Sequence, residues 1–154
     1  MSDWISIKTR FDVCTGCSLC QLACTERYLG GYNPHRALLS VAHRSENLYH
    51  FPSVCHQCGN AYCANVCPTN AIRRNETTGA WVVDPETCIG CGLCVRYCPV
   101  GMARLDPDTG KSVKCDLCGG EPACVAACPT GALELTRTVS THEISETGTS
   151  GGTP

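Results

Sequence analysis

The apolar positions that shape this chain fall in short stretches. After Pro68 and Pro99 come Ala71-Ile72 and Met102-Ala103-Arg104-Leu105, each followed by a polar turn rich in Gly, Asp, Asn or Thr. This alternation predicts two small β-hairpins, one through Asn75–Gly79 to Trp81–Val83, the other through Asp106–Gly110 to Lys111–Val113. Residues 25–54 read as a connecting segment, with strands expected at Arg36–Ala42 and Leu48–Phe51. Residues 139–154 are Ser, Thr, Gly and Glu with few apolar side chains, the composition of a tail that is flexible or docked on a partner. No run approaches the roughly 18 apolar residues of a membrane-spanning helix, so no direct membrane insertion is expected.

Composition changes this picture in one respect. The 154 residues are 43% hydrophobic, but 16 of those residues are cysteine, and the large side chains number only two Trp, two Phe and five Tyr. Ordinary side chains are too few for a full core, so the cysteines and whatever they bind must fill it. A disulfide scaffold would suit a short secreted chain, but Met1-Ser2-Asp3-Trp4-Ile5 begins no signal-peptide pattern and contains no twin arginine. Reducing cytoplasm is the expected compartment, where structural disulfides are rare.

The cysteines fall into four groups of four. The first, Cys14-Thr15-Gly16-Cys17-Ser18-Leu19-Cys20-Gln21-Leu22-Ala23-Cys24, and the third, Cys88-Ile89-Gly90-Cys91-Gly92-Leu93-Cys94-Val95-Arg96-Tyr97-Cys98, share the spacing C-x2-C-x2-C-x3-C. The second (Cys55, Cys58, Cys63, Cys67) and the fourth (Cys115, Cys118, Cys124, Cys128) widen only the middle gap. Proline follows three groups, at Pro68, Pro99 and Pro129, and ends a helix of one or two turns there; the first group continues into Thr25 instead.

A cubane offers four iron corners. A tight loop of three cysteines wraps three of them, and in two-cluster ferredoxins the last cysteine of such a run ligates the other cluster. Four groups make two such pairs, so four [4Fe–4S] clusters are expected. Gly16, Gly90 and Gly92 would let the backbone approach inorganic sulfur. Zinc sites use two separated cysteine pairs and suit these runs poorly. Radical chemistry on S-adenosylmethionine would call for a C-x3-C-x2-C run, by resemblance to that family, and the sequence has none.

The formal charge of −2 counts cysteines as neutral. Four thiolate-ligated clusters add about −8, which disfavours nucleic-acid binding, and no basic stripe argues for it. Arg73, Arg74, Arg96, Arg104, Lys111 and Lys114 lie near the cysteine loops and either offset that charge or form solvated surface. His56 and Tyr62, inside the second group, are not needed as ligands; they either tune a cluster through hydrogen bonding or polarity or, the favoured reading, are ordinary structural residues.

From Cys14 through Cys128 the chain resembles the four-cluster ferredoxin subunits of dimethyl sulfoxide reductase-type molybdenum and tungsten enzymes, formate dehydrogenases and certain hydrogenases. The resemblance implies an α+β fold of two nested ferredoxin-like modules, short hairpins plus short helices. The outer module takes residues 1–24 and 100–138, the inner 55–99. It also implies crossed ligand sets. Cluster 1 takes Cys14, Cys17, Cys20 and Cys128, and cluster 2 takes Cys115, Cys118, Cys124 and Cys24. Cluster 3 takes Cys55, Cys58, Cys63 and Cys98, and cluster 4 takes Cys88, Cys91, Cys94 and Cys67.

The implied function is non-catalytic: single electrons pass between a large tungsten- or molybdenum-containing catalytic subunit and another redox subunit, such as a flavoprotein. The compact form is similar to small subunits of tungsten aldehyde oxidoreductases, with hydrogenase, formate dehydrogenase or carbon monoxide dehydrogenase systems as alternatives. A free polyferredoxin and a zinc-stabilised interaction module are the rival classes. A wire with two ends could also join copies end to end.

Overall fold

The computed structural model describes residues 4–46 and 48–138; the predicted tail at 139–154 lies outside them. Among the described residues there are four two-stranded antiparallel sheets and four α-helices. Strand β1 (Trp4–Thr9) pairs with β8 (Leu133–Thr138), β2 (Ser40–Arg44) with β3 (Tyr49–Ser53), β4 (Ile72–Arg74) with β5 (Trp81–Val83), and β6 (Arg104–Leu105) with β7 (Ser112–Val113). Helix α1 spans Leu19–Leu29, α2 Tyr62–Asn65, α3 Leu93–Arg96 and α4 Ala123–Ala126.

The two predicted hairpins, β4–β5 and β6–β7, form where the polar turns placed them. The connecting segment differs. Pro34 starts a 3-10 turn through Arg36, so its first strand begins at Ser40, and the second runs Tyr49–Ser53 rather than 48–51. Proline at the start of that turn supplies the fixed φ it needs, and Asn33 caps it by accepting from the His35 N–H at 3.2 Å.

The third cysteine of each group is the second residue of a helix. Helices α2, α3 and α4 stop after four residues, before Cys-Pro, whereas α1 runs for eleven. Thr25 is the reason. It has the N–H that proline lacks, and its buried hydroxyl donates to the carbonyls of Gln21 (3.2 Å) and Leu22 (3.0 Å) while accepting from the Asn33 N–H (3.3 Å). The helix ends at Gly30, at φ +66, whose N–H bonds the Glu26 carbonyl.

Strand β1 was not anticipated. Ile5 and Ile7 point inward, with Ser6 and Lys8 alternating outward, and Ile7 lies opposite Leu135 across the sheet with β8. Their core neighbours are Leu38, Leu39, Val54, Leu117 and Leu133 together with Cys20, Cys24 and Cys124. Helix α1 packs on α4, and α2 on α3. Arg36 ties the connecting segment to the second hairpin through Asp106 (2.6 Å) and Asp108 (2.7 Å).

Candidate metal centres

Sixteen unpaired cysteines line four separate cavities, four to each. Cys14, Cys17, Cys20 and Cys128 share one, called site 1. Cys24, Cys115, Cys118 and Cys124 share site 2. Cys55, Cys58, Cys63 and Cys98 share site 3, and Cys67, Cys88, Cys91 and Cys94 share site 4.

The short helices produce this crossing. Cys20 and Cys24 stand one turn apart on α1 and belong to sites 1 and 2; Cys124 and Cys128 on and after α4 belong to sites 2 and 1. Helices α2 and α3 do the same between sites 3 and 4. Site 2 opens into a larger cleft. Sites 1, 3 and 4 hold about 310, 380 and 300 Å³ of space free of protein atoms, mouths included. Among the described residues no three His, Cys, Asp or Glu side chains converge closely enough to hold a single metal ion. A polynuclear thiolate-ligated group fits such spacing; one zinc ion does not.

Backbone donors point at the sulfurs. After each Cys-Pro the chain turns through a residue at positive φ, Asn70 (+52°), Gly101 (+64°) or Gly131 (+68°). That turn brings the N–H of Ala71, Met102 or Ala132 back onto the sulfur of Cys67 (3.3 Å), Cys98 (3.3 Å) or Cys128 (3.2 Å). The first group has no such turn, because α1 continues; the connecting segment substitutes, with the Leu38 N–H donating to Cys24 Sγ at 3.4 Å. Ser112 faces site 4 with its N–H on Cys88 Sγ (3.4 Å) and its hydroxyl 3.0 Å from Cys94 Sγ.

These contacts divide the thiols electrostatically. Burial pushes Cys20 up to about 11 and Cys124 up to about 12, and raises Cys115 as well. Burial also opposes ionisation at Cys67, Cys98 and Cys128, but backbone N–H donors, joined by the Thr69 hydroxyl at Cys67 and the Thr130 hydroxyl at Cys128, outweigh it and hold all three below the usual thiol value. Occupied by iron, each ligand would be a thiolate whatever its metal-free preference.

Two of the loop glycines, Gly16 and Gly90, answer to protein neighbours, whereas a Cβ on Gly92 would make only an ordinary contact with Leu105 at 3.7 Å. A Cβ on Gly90, at φ +69, would stand 2.3 Å from the Gly110 carbonyl oxygen, and one on Gly16, at φ +70, would meet the His50 ring. The residue before the second cysteine has positive φ in all four groups, and in the second and fourth it is not glycine: Gln57 (+49°) and Leu117 (+60°), both fully buried.

Of the basic residues, Arg73 and Arg96 are exposed, Arg74 lies over the Trp81 ring at 4.9 Å, and Arg104 donates to the His35 carbonyl at 3.3 Å. Lys111 donates to the Cys88 carbonyl. Lys114 is buried, and Gln57, which sequence reasoning missed, is buried beside it. His56 and Tyr62 line site 3 from exposed positions.

A family model described as a 4Fe-4S dicluster domain matches residues 46–138, and one described as a 4Fe-4S binding domain matches residues 11–28. The chain belongs to the 4Fe-4S dicluster family. Among its relatives, the polyferredoxin-like subunit of aliphatic sulfonate oxidoreductase from Pyrococcus furiosus is 42% identical over 81% of this chain and 70% of its own length. The thiosulfate reductase electron transfer subunit PhsB of Salmonella typhi is 39% identical over 80% and 71%. The probable anaerobic dimethyl sulfoxide reductase chain YnfG of Escherichia coli is 34% identical over 79% and 68%.

Among solved structures, a chain of the active site complex BamBC of benzoyl coenzyme A reductase with zinc aligns at TM-score 0.51 and 25% identity. It covers 90% of this chain and 82% of that one. The dicluster-family chain is thus an iron–sulfur electron-transfer subunit of the dimethyl sulfoxide reductase type, without a catalytic role of its own. Among the described residues no helix is long and apolar enough to cross a membrane.

Proposed function

We propose that this subunit holds four [4Fe–4S] clusters, one in each site, with the crossed ligand sets of the four cavities. It relays single electrons between a large tungsten- or molybdenum-containing catalytic subunit and a second redox protein. The observation that carries this reading is the division of sixteen cysteines, four by four, among cavities linked pairwise by short helices. When bound, a [4Fe–4S] cluster supplies a one-electron carrier whose potential follows its charge, exposure and hydrogen bonds to sulfur.

The chain's own residues support a wire with two ends. Cys17 in site 1 and Cys91 in site 4 are exposed, whereas sites 2 and 3 have no exposed cysteine. Lys114 lines both of these middle sites. Residues 1–24 and 100–138 make an outer module, supported by α1 on α4 and β1 on β8; residues 55–99 make an inner one, supported by α2 on α3.

Relatives named for sulfonate, thiosulfate and dimethyl sulfoxide chemistry support a molybdenum- or tungsten-type partner. Within that class we favour a tungsten aldehyde oxidoreductase, on the compact set of four cysteine groups, and cytoplasm as the reducing compartment. Anaerobic co-purification of the native complex, with metal analysis of its largest chain, tests the reading. Tungsten or molybdenum in that chain is expected, with an isolated subunit that reduces but turns over no organic substrate. A partner containing neither metal, or turnover by the isolated subunit, overturns it.

A further inference from the structure

Lys114 is a buried lysine, 7% exposed, in the wall between sites 2 and 3. Its ammonium donates to the Trp81 carbonyl, to the Cys115 carbonyl at 3.0 Å and to Gln57 Oε1 at 3.5 Å. All three acceptors are neutral, and none of the ion pairs among the described residues includes it. A buried charge held only by neutral partners is costly, and a neighbouring anion is what relieves it. Lys114 shares its two cavities with Cys55, Cys58, Cys63 and Cys98 on one side and with Cys24, Cys115, Cys118 and Cys124 on the other; Asp106, Asp116, Arg27 and Lys111 also line the second cavity.

Gln57 is built into the same wall. It occupies a left-handed position that is glycine in the first and third groups, an unfavourable conformation for a glutamine, and it is fully buried. Its side chain has a use there. Gln57 Nε2 donates to the Cys115 carbonyl at 2.7 Å, and Oε1 accepts from the Trp81 N–H at 2.8 Å while facing Lys114. The glutamine thereby links the second cysteine group, the first hairpin and the fourth cysteine group around one ammonium.

We propose that Lys114, with Gln57 as its positioning residue, is the tuning charge of the electron path. It raises the reduction potentials at sites 2 and 3 above the values they would otherwise have and offsets the repulsion between electrons on these adjacent sites. Each reduction adds one electron, supplied by the redox partner, and makes or breaks no bond; a fixed cation favours the more negative, reduced state. The inference rests on the four-cluster reading above.

The test is a potentiometric titration of the iron-loaded chain followed by electron paramagnetic resonance, with iron analysis of every sample. In Lys114→Met, two of four centres should become at least tenfold harder to reduce, about 59 mV for a one-electron couple, while the other two stay put. Lys114→Arg, which keeps the charge, should restore wild-type values. Gln57→Glu, which places a carboxylate against Lys114, should lower the same two centres, and it decides the matter if Lys114→Met does not assemble. Four unshifted centres, or an equal shift in all four, at full iron content would overturn the proposal. A wild-type chain far from about sixteen irons would instead defeat the four-cluster reading.

Discussion

Cys20 and Cys24 lie one turn apart on α1, yet they line different cavities, Cys20 with Cys128 and Cys24 with Cys118 and Cys124. One helix thus serves two sites, and neither site is complete within its own cysteine group.

This separation predicts different damage from neighbouring substitutions. Cys24→Ser should alter the centre shared with Cys115, Cys118 and Cys124, and Cys20→Ser the centre shared with Cys14 and Cys17. Resonance spectra of the two variants should therefore lose or change different signals, with up to about four irons missing in each. The same signal lost in both would contradict the crossing.

Gly90 and Gly101 both have positive φ, but only Gly90 has a backbone atom where a Cβ would go. Gly101→Ala should cost roughly 1–2 kcal/mol through conformation alone. Gly90→Ala meets the Gly110 oxygen as well and should cost more, with the third cysteine loop displaced. Thermal melts of the iron-loaded variants check the order.

The length of α1 depends on Thr25. Thr25→Pro would give the first group the Cys-Pro ending of the other three, but it removes the N–H and hydroxyl that carry the helix onward. A destabilisation of about 3 kcal/mol or more is expected by denaturant titration. A neutral result would mean that the last turn of α1 contributes little.

Much of this architecture is legible in the sequence, and the remainder is missing for identifiable reasons. Cys-Pro endings and polar turns disclose α2–α4 and both short hairpins, because proline and glycine act locally. The β1–β8 sheet joins residues about 130 apart, as in Ser6 with Thr136; only the alternation Ile5, Ile7 and Leu133, Leu135 hints at it. Lys114 reads as one of six scattered cations until Trp81, Gln57 and Cys115 are brought around it. Gln57 gives no signal at all until its positive φ aligns it with Gly16 and Gly90.

That long-range sheet carries a prediction of its own. Ile7 is buried and faces Leu135, so Ile7→Ala should cost about 2–5 kcal/mol. Because β1 leads into the first cysteine group, iron should be lost sooner from sites 1 and 2 than from sites 3 and 4 during chelator challenge. Uniform loss from all four would show that the sheet does not brace the outer pair selectively.

The most direct test of the central claim is an anomalous-scattering map at the iron edge from crystals of the loaded protein. Four separate iron centres are predicted, ringed by Cys14/Cys17/Cys20/Cys128, Cys24/Cys115/Cys118/Cys124, Cys55/Cys58/Cys63/Cys98 and Cys67/Cys88/Cys91/Cys94. Fewer than four centres, or one ringed by the four cysteines of a single group, would contradict the account.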